Sequence, residues 1–259
     1  MRDDRQLSSY ERREQLLHWI ERTGRVSIAE IREHFGVSEA TARRDLEALA
    51  EQSKIRRVRG GAIMIRQAPP EPPFLQRERE QSLEKERIGQ VAASLVQEGE
   101  TIFLASGTTT LAVARHLRSR HNLTVITNSL PVMNLLADEP GITLIGIGGM
   151  LRKSELSFIG YIAEHAIAEL RADKVFIGVH SLSLEHGLTS DYLPEILTDR
   201  AILRIGREVI LVADHTKFNR VSTALVAPLT SVHCIVTDSA APPDIVEAIR
   251  RMGIEVILA

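Results

Sequence analysis

The chain of 259 residues holds one cysteine, Cys234. A single cysteine excludes an intrachain disulfide and any cysteine cluster that would hold zinc. The nine histidines form no recognisable metal-binding constellation, and no Gly-rich Walker loop is present. No apolar run approaches the roughly 18–20 residues that cross a bilayer. The opening stretch, MRDDRQLSSYERR, is charged and lacks the apolar centre of a secretory signal. A cytoplasmic protein without metal or cofactor is the expectation. Net charge is also nearly absent, at −2. That figure hides an asymmetry: residues 1–66 carry 14 basic and 11 acidic side chains, and residues 67–259 carry 18 and 23. From Arg43 to Arg66 there are seven basic and three acidic residues. A local basic excess on a small domain bears on nucleic acid more than the global balance does.

The basic part reads as helices with clear punctuation. Ser8 or Ser9 starts a helix near Tyr10 that carries Leu16, Leu17 and Ile20 at helical spacing and ends at Gly24. Ser27 and Glu30 form a capping box for a second helix, about 28–35, and Gly36 supplies the turn after it. Ser38 caps a third helix. Ala42, Leu46 and Leu49 share its inner face, so Arg44 points outward, flanked by Arg43 and Thr41. The run Lys54-Ile-Arg-Arg-Val-Arg-Gly-Gly-Ala-Ile-Met64 then reads as a basic hairpin around Gly60-Gly61. Two arginines on a helix are often only a solvated face, and a three-helix unit also serves in protein interaction. The coincidence of cap, turn, paired arginines and basic hairpin favours helix-turn-helix architecture with a wing.

Those residues carry a resemblance. Ser38-Glu-Ala-Thr-Ala-Arg-Arg-Asp-Leu46, followed by Arg56-Arg-Val-Arg-Gly-Gly-Ala62, resembles the DNA-binding signature of DeoR-type bacterial transcriptional regulators. Ala42 stands where that pattern usually has Ile or Val. The expected organisation is a winged helix-turn-helix domain over 1–65, with the motif at about 27–46 and the wing at 54–64. The expected DNA-binding residues are Ser38, Thr41, Arg43, Arg44, Arg56, Arg57 and Arg59.

Residues 67–74, QAPPEPPF, hold four prolines in eight positions, so 66–77 is expected to be a stiff linker. A helix is expected over Glu78–Val96. From Thr101 onward short apolar strands alternate with helical stretches. The strands are placed at Thr101–Ala105, Leu123–Thr127, Ile142–Ile147, Lys174–Val179, Glu208–Ala213, Cys234–Thr237 and Glu255–Leu258. Helices are placed at Thr109–Arg118, Leu130–Ala137, Tyr161–Leu170, Pro194–Ile205 and Asp244–Met252. This α/β pattern predicts a mainly parallel, Rossmann-like sheet over 78–259, covered on both faces, with its ligand at the C-terminal strand ends.

Ser106, Gly107, Thr108, Thr109 and Thr110 follow the first strand and open a helix, an arrangement suited to phosphate. The same run also serves simply to cap a helix. Asn128 follows the second strand, Gly148 and Gly149 the third, and Lys217 the fifth. His180 follows the fourth, and Glu195 opens a late helix. Together these eleven residues suggest a site for an anionic, hydroxylated small molecule. The marks Ser106-Gly-Thr-Thr109, Thr127-Asn128, Gly148-Gly149, Gly160 and Asp214-x-x-Lys217-Phe218 also resemble the DeoR effector-sensing domain, a fold related to ribose-5-phosphate isomerase. The resemblance implies a repressor of carbohydrate-metabolism genes that senses a phosphorylated sugar or related metabolite. It implies operator DNA as partner and a homo-oligomer, dimer or tetramer. Ala105, His180-Ser181 and Asp199 depart from the family's usual Asp, Asp-Gly and Lys. A sugar-phosphate isomerase with a DNA-binding appendage is the alternative. The missing carboxylate at 105 and lysine at 199 weigh against it.

Overall fold

The computed structural model describes residues 8–23, 25–51, 55–58, 60–64, 66–67 and 71–259, without the side chains of 21, 22, 56, 63, 64, 66 and 67. The chain divides into two compact units, Met1–Arg66 and Gln67–Ala259.

The first unit contains α1 (Ser9–Thr23), β1 (Arg25–Ser27), α2 (Ile28–Phe35), α3 (Glu39–Glu51), β2 (Ile55–Val58) and β3 (Gly61–Met64). Local chemistry sets each start. The Glu11 amide donates to Ser8 Oγ, and the Ser8 amide donates to the Glu11 carboxylate. Ser27 and Glu30 do the same for α2. Gly36 ends α2 at φ 65°, the left-handed region that glycine enters without steric cost. Leu16, Ile20, Ile31, Ala42, Leu46, Leu49 and Ile55 fill the space between the helices and the sheet. Strand β3 pairs antiparallel with both β1 and β2. A Cβ at Gly61 would lie 2.1 Å from the Val26 carbonyl oxygen, so glycine is what lets β3 close onto β1.

The second unit follows the short strand β4 (Arg66–Gln67). It begins with α4 (Phe74–Arg77) and α5 (Ser82–Ser94). Strands and helices then alternate through β5 (Thr101–Leu104), α6 (Thr108–Leu117), β6 (Leu123–Thr127), α7 (Leu130–Leu136) and β7 (Ile142–Gly146). The hairpin β8 (Met150–Arg152) and β9 (Ser157–Ile159) leads to α8 (Tyr161–Ala168) and β10 (Ala172–Ile177). The pair β11 (Ser181–Ser183) and β12 (Gly187–Ser190) precedes α9 (Leu193–Ile205) and β13 (Gly206–Val212). After β14 (Arg220–Val221) and β15 (Ala224–Ala227) come β16 (Cys234–Thr237), α10 (Pro243–Arg251) and β17 (Glu255–Leu258).

Seven of these strands form one parallel sheet in the order β17-β16-β13-β10-β5-β6-β7. They are the seven that alternation of short apolar runs predicts, within two residues at each end. Neighbouring residues in a strand face opposite sides. Ile102 and Leu104 therefore pack with α5, α6 and α7, while Phe103 packs with α8, α9 and α10. The result is three layers, helix–sheet–helix.

Two expectations need correction. Residues 71–77 are part of the second unit rather than a free connector. Phe74 is buried, its amide donates to the Ser154 carbonyl at 2.8 Å, and Arg77 is buried beside Glu71 and Glu155. Residues 68–70 of the proline-rich stretch lie outside the described residues. The helix expected from Glu78 begins only at Ser82, because Gln81 adopts φ 50° and ends the preceding turn. Lys85 holds that turn by donating from Nζ to the carbonyls of Arg77 and Glu80. Such long-range and lysine-to-backbone contacts leave no periodic trace in the sequence.

Candidate DNA-binding face and effector cavity

Helix α3 buries Ala42, Asp45, Leu46 and Leu49 and exposes Ser38, Arg43 and Arg44. Ser38 Oγ accepts from the Thr41 amide at 3.2 Å and meets Thr41 Oγ1 at 2.9 Å, so both hydroxyls sit at the start of the helix. Arg43 pairs with Glu39 one turn earlier, at 2.6 Å. Arg57, on the hairpin, pairs with Glu47 of α3 at 2.8 Å. Arg44 makes no ion pair among the described residues. The Arg56 side chain and all of Arg59 lie outside the description. The sequence does not single out Asp45, yet it is the residue that anchors α3. Its carboxylate is buried and accepts from Arg12 of α1, with Nε at 2.6 Å and Nη2 at 3.2 Å. A helix with outward arginines, held to its neighbour by a buried ion pair, is a rigid part of the size the major groove admits.

In the second unit, β6 and β7 lie on one side of β5, while β10, β13, β16 and β17 lie on the other. The crossovers diverge between β5 and β10, which opens a crevice at their C-terminal ends. A cavity occupies it, lined by Ser106, Gly107, Thr108, Thr109, His180, Glu195 and Lys217 among the sequence-proposed residues. The amides of Gly107, Thr108, Thr109 and Thr110 donate to no group among the described residues. They are the free N–H groups of the first turn of α6, where negative charge is favoured. Gly107 reaches this geometry at φ 135°. Lys217, also free of ion pairs among the described residues, adds a cation to the rim.

Four proposed residues do not line the cavity. Thr110 is fully buried, and its hydroxyl donates to the Gly107 carbonyl at 2.8 Å, so it builds the turn. Asn128 is buried and donates from Nδ2 to the Phe158 carbonyl at 3.1 Å, fixing β9 to the end of β6. Gly149 faces the Ile159 carbonyl oxygen, 2.8 Å from where a Cβ would stand. Gly148 is exposed, with open space around its Cα.

The cavity lining and its hydrogen-bond partners include further residues that sequence reasoning did not select. Arg77 pairs with Glu71 at 2.7 Å and with Glu155, and its Nε donates to the Pro72 carbonyl at 2.9 Å. Arg152 pairs with Glu195 and lies over the Tyr192 ring, 4.1 Å from its centroid. Ser157 Oγ donates to the other Glu195 oxygen at 2.9 Å. Burial, with Glu71 and Glu195 nearby, pushes the Glu155 carboxyl up to about 7 despite Arg77. Burial likewise raises Asp199 well above the usual carboxylate range. Lys85, also buried, is lowered to about 8 by desolvation. Arg77 and Glu155 are 78 positions apart in the chain, so only the folded structure brings them together. His180 sits at the cavity edge with Nδ1 3.6 Å from Asp191.

Comparison with known proteins accords with this division. The DeoR-like helix-turn-helix domain matches residues 12–68, and the DeoR C terminal sensor domain matches residues 80–239. The chain is 37% identical over 215 residues to the transcriptional repressor AccR of Agrobacterium fabrum, covering 83% of each chain. It is 34% identical over 243 residues to the glycerol-3-phosphate regulon repressor of Escherichia coli, covering 94% of this chain and 96% of the relative. Among solved structures, ribose 5-phosphate isomerase A from Methanocaldococcus jannaschii aligns with a TM-score of 0.41 at 17% identity, over 54% of this chain and 55% of that one.

Proposed function

We propose, for a chain that belongs to the DeoR family of transcriptional regulators, that it represses carbohydrate-metabolism genes and is controlled by a phosphorylated sugar in its second unit. The chain is a regulator with a helix-turn-helix DNA-binding domain and a sensor domain, and not an enzyme. The single observation that carries the effector reading is the turn opening α6, where the amides of Gly107, Thr108 and Thr109 have no partner among the described residues and line one cavity with Lys217. A phosphate matches that arrangement in charge and in acceptor number. One relative is named for the glycerol-3-phosphate regulon, which fits an effector with a phosphate. On the DNA side, Arg44 reads base edges, and Ser38, Thr41, Arg43, Arg56, Arg57 and Arg59 position the domain on phosphates.

A thermal-shift screen of the full chain against phosphorylated sugars and their unphosphorylated counterparts tests the effector reading. A ligand that binds only the folded state raises its apparent stability. Stabilisation that requires the phosphate is expected. A screen in which unphosphorylated sugars stabilise equally well would contradict it.

The chain acts as a homo-oligomer, dimer or tetramer, so that paired helix-turn-helix domains meet symmetric half-sites. A second copy of this chain is the partner. Tyr161 and Ile162 on α8, with Leu193 and Leu197 on α9, are exposed apolar side chains on helices joined through Thr198 to Gly160 and Glu164. They supply an apolar face for that association. Sedimentation as a monomer, both free and on operator DNA, would contradict it.

A further inference from the structure

The lining of the cavity carries more carboxylates than cations. Glu71, Glu155, Glu195 and Asp199 line it together with Arg77 and Lys217, and Arg152 pairs with Glu195. Arg77 is fully engaged by Glu71, Glu155 and the Pro72 carbonyl. Arg152 is engaged by Glu195, whose second oxygen is taken by Ser157. Asp199 lines the cavity, is half-buried, and has neither an ion pair nor a hydrogen bond among the described residues. A half-buried carboxylate that no protein cation pairs is open to a cationic group on a ligand.

The cavity therefore offers contacts of opposite character. The first turn of α6 has amides with no partner among the described residues, Lys217 lines the same cavity, and so does Asp199, a carboxylate without an ion pair among the described residues. We propose that the effector is an aminated sugar phosphate, its phosphate at the first turn of α6 and its protonated amine against Asp199. The proposal rests on the reading of this cavity as the effector site and adds the chemical class of the molecule. A hydroxyl in place of the amine would accept or donate one hydrogen bond and would leave Asp199 in its protonated form. An ammonium both donates to the carboxylate and cancels its charge. Burial, together with the Glu195 and Glu155 charges, raises Asp199 and favours its protonated form. An arriving ammonium reverses that balance and returns the group to the ionised form. Asp199 is thus the residue that discriminates amine from hydroxyl, whereas the α6 turn serves any phosphorylated sugar.

Isothermal titration of the full chain with matched pairs tests this. The pairs are glucose 6-phosphate against glucosamine 6-phosphate and galactose 6-phosphate against galactosamine 6-phosphate, each with its N-acetylated derivative. On the skeleton the cavity accepts, the free amine should bind at least about tenfold tighter than the hydroxyl, as a charge-assisted contact in an enclosed site gives. N-acetylation, which removes the charge, should abolish that preference. Asp199→Asn should reduce the preference below about threefold and leave the affinity for the hydroxyl sugar within about threefold. The same variant should melt no lower than the parent protein, because Asp199 has no ion pair or hydrogen bond among the described residues to lose, and this guards against loss of fold. Equal binding of amine and hydroxyl, or a preference that survives Asp199→Asn, would overturn the amine assignment and leave the sugar-phosphate reading standing. Failure of every phosphorylated sugar to bind would overturn both.

Discussion

Arg44 of α3 has no ion pair among the described residues, whereas Arg43 and Arg57 are each held by a glutamate. That difference is the basis of the roles proposed for them. If Arg44 reads base edges, Arg44→Ala should cost about 1–3 kcal/mol of discrimination between operator and mismatched DNA. Arg57→Ala should weaken binding about equally on both and lower the salt slope by roughly one. Anisotropy titrations on two DNA sequences at several salt concentrations distinguish the outcomes. Equal effects of the two variants would remove the assignment. Asp45 acts differently, because it faces inward. Asp45→Ala removes the buried carboxylate to which Arg12 donates, and should cost about 1–3 kcal/mol of stability in the first unit, seen as a lower melting transition. A variant that melts like the parent would show that the pair contributes little to holding α3.

At the scale of elements, the proposed recognition of phosphate depends on the start of α6. Gly107 lies at φ 135°, and a Cβ there would sit 3.3 Å from Thr110 Oγ1. Gly107→Ala strains the turn and tilts the four free amides, so it should weaken phosphorylated ligands at least about tenfold by titration while the far-ultraviolet dichroism stays unchanged. Unaltered affinity would mean that the phosphate sits elsewhere. This element was legible beforehand: the glycine, the run of hydroxyls and the preceding apolar strand are local signals. So were the seven strands of the sheet, whose buried runs alternate with helices. The caps Ser27 and Ser38 were legible because a cap depends on residues only three apart. The ion pairs in and around the cavity were not. Arg77, Glu155, Arg152 and Glu195 come from α4, the β8–β9 hairpin and α9, and their pairing depends on contacts 43 and 78 positions apart. The proline-rich stretch misled because proline excludes helix and inner strand but says nothing of whether an extended segment packs. Phe74 and Arg77 are what bind it to the second unit. Asn128 and Gly149 do not line the cavity, and a polar residue and a glycine at strand ends serve loop architecture as readily as ligand.

At the scale of the whole chain, a DNA-reading unit and a sensor unit share one polypeptide. Their coupling is a free energy, and it is reciprocal: an effector that lowers operator affinity is itself bound less well by the operator complex. The most direct measurement takes an operator selected from random DNA by the full chain. Anisotropy then follows its affinity as the stabilising sugar phosphate is added. A factor of about 5–150 in operator affinity is expected, with Gly107→Ala unresponsive at the same ligand concentration. An effector that saturates the sensor unit and leaves operator affinity unchanged would contradict control of the DNA-binding domain from this cavity.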